Sequence, residues 1–241
     1  MKRFWFLISI AAFLALEGYC AYACAMQKVF NSLTVSIIMF FALSVVCIPL
    51  SVVLHELGHM LFGATVKIKA VPQFKLMGAS SCTIIPKTDK NLKGRIIFTS
   101  LGGLIVNALC IALGIVALTV EAVPVHISAL LPFSAYLFLL NAMPFGYSEG
   151  ATDGLVVCEL VRGDDSSKVM LNVLKVQAQV LGGKPFEEVD ESLLFDVPQI
   201  AEDDINFISL TELRYEYFKA RGDNENAQKY KQRLDELKKY L

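Results

Sequence analysis

Charged residues are scarce in the first two thirds of this sequence, where long hydrophobic runs take their place. Only 19% of the 241 residues are charged, 55% are hydrophobic, and the mean hydropathy is +0.53. This composition is too apolar for an ordinary water-soluble domain and indicates a membrane protein. Charges become dense only after about Gly163, so the formal net charge of −1 averages two unlike halves.

Cysteine pairs of the C-x-x-C type are also absent from the sequence. Most of the cysteines lie in apolar stretches, where cysteine packs as a small hydrophobe; they are Cys20, Cys24, Cys47, Cys82, Cys110 and Cys158. This spacing predicts neither a zinc knuckle nor a redox motif. The basic residues flank apolar segments or lie in the acidic C-terminal part, so no nucleic-acid partner is predicted.

Four long apolar segments fit membrane-spanning helices, and they cover about residues 4–26, 33–65, 96–120 and 126–140. An α-helix rises about 1.5 Å per residue, so about 20 residues cross a hydrocarbon core ~30 Å thick. The second segment exceeds one perpendicular span, which predicts either tilt or a break near Pro49.

The first apolar segment has two interpretations. It follows Met1-Lys2-Arg3, and Ala23-Cys24-Ala25 resembles the cleavage site of a signal peptide. The apolar run is longer than a usual signal-peptide core, however, and is long enough to cross a bilayer. We therefore predict a retained transmembrane helix, with a cleaved signal peptide as the alternative.

The remaining parts of the chain have other patterns. Residues 67–95 alternate in polarity and are rich in turn residues, which predicts a short β-hairpin that either connects two spans or holds an extended peptide. Helical patterns follow Gly163; the last two resemble a tetratricopeptide-type hairpin, and a solvated amphipathic pair that packs on itself is the default interpretation. The predicted fold is an all-α membrane protein with about four transmembrane helices, a β-hairpin after the second and a soluble helical tail. The predicted domains are residues 1–32, the membrane core 33–162 and the tail 163–241.

Two histidines and a glutamate interrupt an apolar stretch of the second segment, Val52-Val53-Leu54-His55-Glu56-Leu57-Gly58-His59-Met60-Leu61-Phe62. Positions four apart share one face of a helix, so His55 and His59 can bind one metal ion, with Glu56 beside it to take a proton from water. Ionisable side chains in so apolar a segment are costly unless they face a polar cavity and have a function. The pattern is typical of a zinc hydrolase.

Hydrolytic zinc usually takes three protein ligands, so a carboxylate from elsewhere must join His55 and His59. Residues 141–154 break the fourth apolar run with a proline and several glycines. Such irregular backbone at membrane depth is tolerated only where it is buried in protein or lines a cavity. Asp153 precedes the apolar helix that follows, and it is either the third ligand or a simple helix cap.

The basic residues predict that both termini are cytoplasmic. Lys2 and Arg3 precede the first span, and further basic residues lie between the second and third, namely Lys67, Lys69, Lys75, Lys87, Lys90, Lys93 and Arg95. Loops rich in lysine and arginine stay in the cytoplasm. This predicts a multi-pass integral protein, of the cell membrane, with His55, His59 and Asp153 near the cytoplasmic side.

Three motifs occur on successive apolar segments within about residues 33–160: His55-Glu56-Leu57-Gly58-His59, Gly103-x-x-x-Asn107, and Asn141-x-x-Pro144 leading to Asp153-Gly154. In this order they resemble the site-2 protease family of intramembrane zinc metalloproteases. The resemblance implies that His55, His59 and Asp153 bind Zn²⁺ and that Glu56 is the general base. It also implies that Gly103, Asn107 and Asn141 line the substrate-binding site.

The sequence departs from the family pattern at two places. Leu104 stands where family members usually have proline after the glycine, and Tyr147-Ser148-Glu149-Gly150 resembles an insertion before Asp153. The insertion makes Glu149 an alternative third ligand. Asp153 is favoured, because Gly154 and the resumed apolar helix match the family pattern.

The function predicted from these residues and this resemblance is an intramembrane endopeptidase. It would cleave membrane-anchored proteins or peptides within or near their transmembrane segment, in regulated proteolysis or in the processing of signal-peptide remnants. The expected partners are such substrates, the lipid bilayer and a protein bound by the C-terminal tail. A metal-binding membrane transporter or sensor without hydrolytic activity is the alternative.

Overall fold

The computed structural model describes residues 2–27, 32–74, 81–147 and 150–238. It is mostly helical, and the helices long and apolar enough to cross a membrane are Arg3–Met26, Leu33–Thr65, Leu92–Thr119 and Val125–Ala142. A two-stranded hairpin follows the second of these, and further helices form the C-terminal part. The predicted fold class is confirmed.

The membrane-type helices are α1 (Lys2–Met26), α2 (Leu33–Thr65), α3 (Leu92–Thr119) and α4 (Leu130–Ala142), with a 3-10 helix, Val125–Ala129, preceding α4. Of the two predicted alternatives, tilt or a break near Pro49, the break does not occur, because α2 continues through this residue as one helix. Proline removes one backbone hydrogen bond, which membrane helices tolerate when neighbouring groups satisfy the freed carbonyl. Helix α3 begins at Leu92, a turn earlier than the sequence predicts.

The strands are β1 (Ile68–Gln73) and β2 (Ser81–Pro86), which form one sheet, and β3 (Gly146–Tyr147) and β4 (Gly150–Ala151), which form another. In the second pair Gly146 faces Ala151 in antiparallel register. The segment that the sequence describes only as irregular backbone therefore contains a small hairpin. Helix α5 (Asp153–Arg162) begins directly after it.

The chain forms two compact units. The first consists of Met1–Phe62, Pro72–Thr83 and Phe98–Val157. In this unit α1 packs against α4 and the 3-10 helix, with a core that includes Cys20, Phe40, Cys47 and Leu131. The ring of Phe13 on α1 meets the rings of Phe133 and Tyr136 on α4 edge to face.

The second unit consists of Gly63–Val71, Ile84–Ile97 and Cys158–Leu241. Its helices are α6 (Asp165–Leu181), α7 (Ser192–Phe195), α8 (Ile205–Ala220) and α9 (Asn224–Leu237). The helices α6, α8 and α9 are capped by the carboxylates of Asp164, Asp204 and Asp223, which accept hydrogen bonds from the backbone N–H groups of Ser167, Asn206 and Asn226. Valines of α6 pack with Leu210 and Tyr217 of α8 in its core.

Candidate metal centre

Helix α2 holds His55, Glu56 and His59 inside the protein rather than facing lipid. Their exposed fractions are 6%, 4% and 5%. The two imidazoles lie one turn apart on the same helix face, and their Nε2 atoms are 3.2 Å apart. Two nitrogen ligands therefore point to one place within a buried part of the first unit.

Asp153, the first residue of α5, reaches the same place from a distant part of the chain. Its Oδ2 atom lies 3.3 Å from Nε2 of His55, and its Oδ1 atom lies 3.4 Å from Nε2 of His59. One ligand atom from each of the three residues lies within 4.8 Å of the others, so the group can hold a metal ion. Glu149, the alternative third ligand, lies outside the described residues.

Thr152 places Asp153 at the start of α5. Its buried hydroxyl accepts a hydrogen bond from the backbone N–H of Leu155 at 3.2 Å, so Thr152 rather than Asp153 caps the helix. The same hydroxyl lies 2.5 Å from the carbonyl oxygen of Met143 and 3.0 Å from that of Phe145. One threonine thus joins the end of α4 to the start of α5, and the Asp153 carboxylate is left for another role.

Two glycines, Gly103 and Gly58, allow the close packing that the centre needs. A Cβ atom on Gly103 of α3 would lie 2.6 Å from Cε1 of His55 and 2.6 Å from Nε2 of His59. A Cβ on Gly58 would lie 2.5 Å from the carbonyl oxygen of Gly102, where α2 and α3 cross. All three distances are shorter than a carbon atom tolerates, so α3 lies against α2 and its imidazoles only because these residues lack side chains.

The backbone of α3 fixes the tautomer of the neutral His59 ring. Its Nδ1 atom lies 2.9 Å from the carbonyl oxygen of Thr99. A carbonyl oxygen only accepts, so Nδ1 carries a hydrogen and the neutral imidazole presents a lone pair at Nε2. That lone pair faces the carboxylate of Asp153, and a cation between them turns this repulsion into attraction. The donor set of His55, His59 and Asp153 and the tautomer of His59 therefore fit a metal ion.

Asn107 and Asn141 have different surroundings. Asn107 on α3 is fully buried, and its Nδ2 atom lies 2.9 Å from Nδ1 of His55. Asn141 on α4 is half-buried and donates a hydrogen bond to the carbonyl oxygen of Leu137 in its own helix. The substrate contacts predicted for both residues, and for Gly103, stay predictions.

One carboxylate oxygen of Glu56, beside the centre, accepts no hydrogen bond from any described residue. Its Oε2 atom is buried and makes no hydrogen bond to any described residue, while the carboxylate interacts electrostatically with His59, His55 and Asp153. The charges of Glu56 and Asp153 also act on Cys82 of β2. Burial is the main cause, and these two charges the lesser ones, that raise the pKa of the Cys82 thiol to about 12. Cys82 therefore lies near the centre.

Sequence reasoning missed Thr99 and Thr152. A signal was available for Thr152, since threonine just before an apolar helix is a common cap. Thr99 gives no such signal, because only its backbone oxygen is used.

Comparison with known proteins finds no family model, curated protein or solved structure that matches the chain. The chemistry of the centre is therefore inferred from its own geometry.

Proposed function

We propose that this protein is an intramembrane zinc endopeptidase of the site-2 protease family, which cleaves membrane-anchored proteins or peptides within or near their transmembrane segment. The observation that carries the proposal is the meeting of Asp153 with His55 and His59, buried and beside Glu56. These residues belong to helices of a membrane-type protein, so the substrate is expected to come from the bilayer.

Zinc is the ion we propose, because two imidazoles and one carboxylate form a common ligand set of catalytic zinc. Imidazole nitrogens at both histidines also favour a borderline metal over magnesium or calcium, which prefer oxygen ligands. The chemistry that bound zinc supplies in hydrolases is polarisation of a carbonyl group and acidification of a water molecule.

Glu56 is proposed as the residue that moves the proton. Its buried Oε2 atom has no hydrogen-bond partner in the described part of the chain, so it can accept a proton from water without breaking an existing bond. The protonated carboxyl can then deliver that proton to the leaving amine as the peptide bond breaks. His55, His59 and Asp153 act only in holding the ion.

The hairpin β1–β2 is proposed to hold the substrate. A helical substrate must unwind before a peptide bond is exposed, and an extended chain can then add to the edge of a two-stranded sheet. The electrostatic influence of Glu56 and Asp153 on Cys82 supports this proposal, because it indicates that this residue of β2 lies near the reacting groups. The C-terminal tail is proposed to bind a protein partner, and both termini are proposed to be cytoplasmic.

The test compares cells that carry the wild type with cells that carry Glu56→Gln. Small proteins of the membrane fraction are compared by mass spectrometry, and zinc is measured in both purified proteins. We expect both proteins to contain zinc and the substrate to accumulate only with Glu56→Gln, because the amide cannot accept the proton.

Glu121→Gln is the matched control, since Glu121 is exposed in the loop after α3 and should leave turnover unchanged. Equal turnover by wild type and Glu56→Gln would overturn the proposed catalytic role. Zinc binding without proteolysis by the wild type would favour the transporter or sensor instead.

A further inference from the structure

The two histidines of the centre differ in what holds their outer nitrogen. Nδ1 of His59 faces the carbonyl oxygen of Thr99, whereas Nδ1 of His55 faces the side-chain amide of Asn107, at 2.9 Å in both cases. A carbonyl oxygen can only accept a hydrogen bond. An amide can either donate with its nitrogen or accept with its oxygen.

With Nδ2 of Asn107 directed at Nδ1, the neutral ring of His55 carries its hydrogen on Nε2. Nε2 of His59, 3.2 Å away, can accept that hydrogen, whereas Oδ2 of Asp153 lies 3.3 Å from Nε2 of His55 and makes no hydrogen bond to any described residue. This arrangement blocks the centre, because Nε2 of His55 then has no lone pair for a metal ion.

In the same arrangement Oδ1 of Asn107 is buried and has no hydrogen-bond partner among the described residues. Turning the amide by half a turn directs this oxygen at Nδ1 of His55. The hydrogen of the ring then lies on Nδ1 as a donor, and Nε2 becomes a metal ligand. The turn needs little space, because the oxygen and the nitrogen of an amide are similar in size.

We infer that Asn107 is a positioning residue with two settings. Its nitrogen holds His55 when the centre is empty of metal, and its oxygen holds His55 when a metal ion is bound. This inference rests on the metal binding of the proposed function and concerns no step of proteolysis. It differs from the substrate contact that the resemblance implies for Asn107.

The test measures metal binding of the full chain in detergent micelles. Zn²⁺ affinity is measured by competition with a chelator, and the visible spectrum of bound Co²⁺ reports the ligand set. In Asn107→Leu neither setting exists, and we expect about 10- to 100-fold weaker Zn²⁺ binding with an altered Co²⁺ spectrum. In Asn107→Asp the carboxylate only accepts, so we expect Zn²⁺ binding at least as tight as in the wild type with an unchanged Co²⁺ spectrum.

The outcomes separate this inference from the proposed function. If the wild type binds no Zn²⁺ or Co²⁺, the proposed function fails. If the wild type binds and Asn107→Leu binds equally well, the two-setting role is overturned. Should Asn107→Leu fail to fold, Asn107→Asp decides alone, because Zn²⁺ binding more than about tenfold weaker than in the wild type would also overturn the role.

Discussion

Gly103 shows how a single residue sets the geometry of the centre. The imidazoles of His55 and His59 lie directly against its backbone, where any side chain would need their space. A metal ion tolerates little displacement of its ligands, and errors of about 0.5 Å already weaken a built site. The lack of a side chain at this position is therefore a condition for metal binding.

At the residue scale we predict that Gly103→Ala lowers Zn²⁺ affinity by about tenfold or more, because the new methyl group pushes both imidazoles off the common point. The affinity is measured by chelator competition. Gly18→Ala is the control, since a Cβ at Gly18 of α1 meets nothing within 4 Å. Equal affinities for Gly103→Ala and the wild type would show that α3 can move away from α2.

At the scale of elements, the start of α5 decides where the third ligand lies. Thr152 fastens this start to the end of α4, and Gly154 lets the two backbones touch, since a Cβ there would lie 2.2 Å from the carbonyl oxygen of Ala142. Asp153 lies between these two contacts. Its carboxylate is thus carried by a junction between helices and not by a mobile loop tip.

We predict that Thr152→Val weakens both the protein and its metal centre. Valine has the same shape but no hydroxyl, so the cap of α5 and the hydroxyl's contacts with the carbonyl oxygens of Met143 and Phe145 are lost. Loss of a cap alone costs about 1 kcal/mol. We expect a lower midpoint of thermal unfolding and weaker Zn²⁺ binding. Thr152→Ser keeps the hydroxyl and should bind Zn²⁺ as the wild type does, and equal losses in both variants would contradict the role of the hydroxyl.

At the scale of the whole molecule, different interactions stabilise the two compact units. The first has an apolar core and buries the polar side chains of His55, Glu56 and His59, whereas the second has a valine-rich core and surface charge pairs such as Glu191 with Arg221. Tyr217 illustrates the second kind, because its buried ring carries a hydroxyl that donates to Glu191, which also pairs with Arg221. The units should therefore respond differently to pH.

Hydrogen bonds from the hydroxyl of Tyr217, the larger cause, and from the guanidinium of Arg221 hold the pKa of Glu191 below its usual range. A lowered pKa stabilises the folded state above the unfolded-state pKa of about 4.3, and this stability is lost as the pH falls through the folded-state pKa. We predict that α7 and α8 lose hydrogen-exchange protection below about pH 4.

The measurement corrects exchange for its intrinsic pH dependence and compares the wild type with Glu191→Gln, which should lose less protection on acidification. Glu225→Gln is the control, because it removes an exposed pair with Lys229 within one helix. The same acid response in Glu191→Gln and the wild type would show that other groups titrate in this unit.

The sequence by itself determined the apolar helices, the hairpin after the second helix and the spacing of His55 and His59. These features can be predicted because helix periodicity, strand alternation and the length of an apolar span depend only on residues that are close together in the sequence. The general position of a third ligand was also predictable, although helix cap and ligand could not be told apart at Asp153.

Only the tertiary structure decided which groups surround the imidazoles. Asp153 lies far along the chain from His55, Thr99 contributes a backbone oxygen that any residue has, and Asn107 faces His55. Such contacts depend on how closely α2, α3 and α5 pack. Glycines permit this packing, but their role can be recognised only when the atoms next to them in the folded protein are known. The chemistry of a buried centre is set by distances between elements, and these distances arise from packing and not from local sequence.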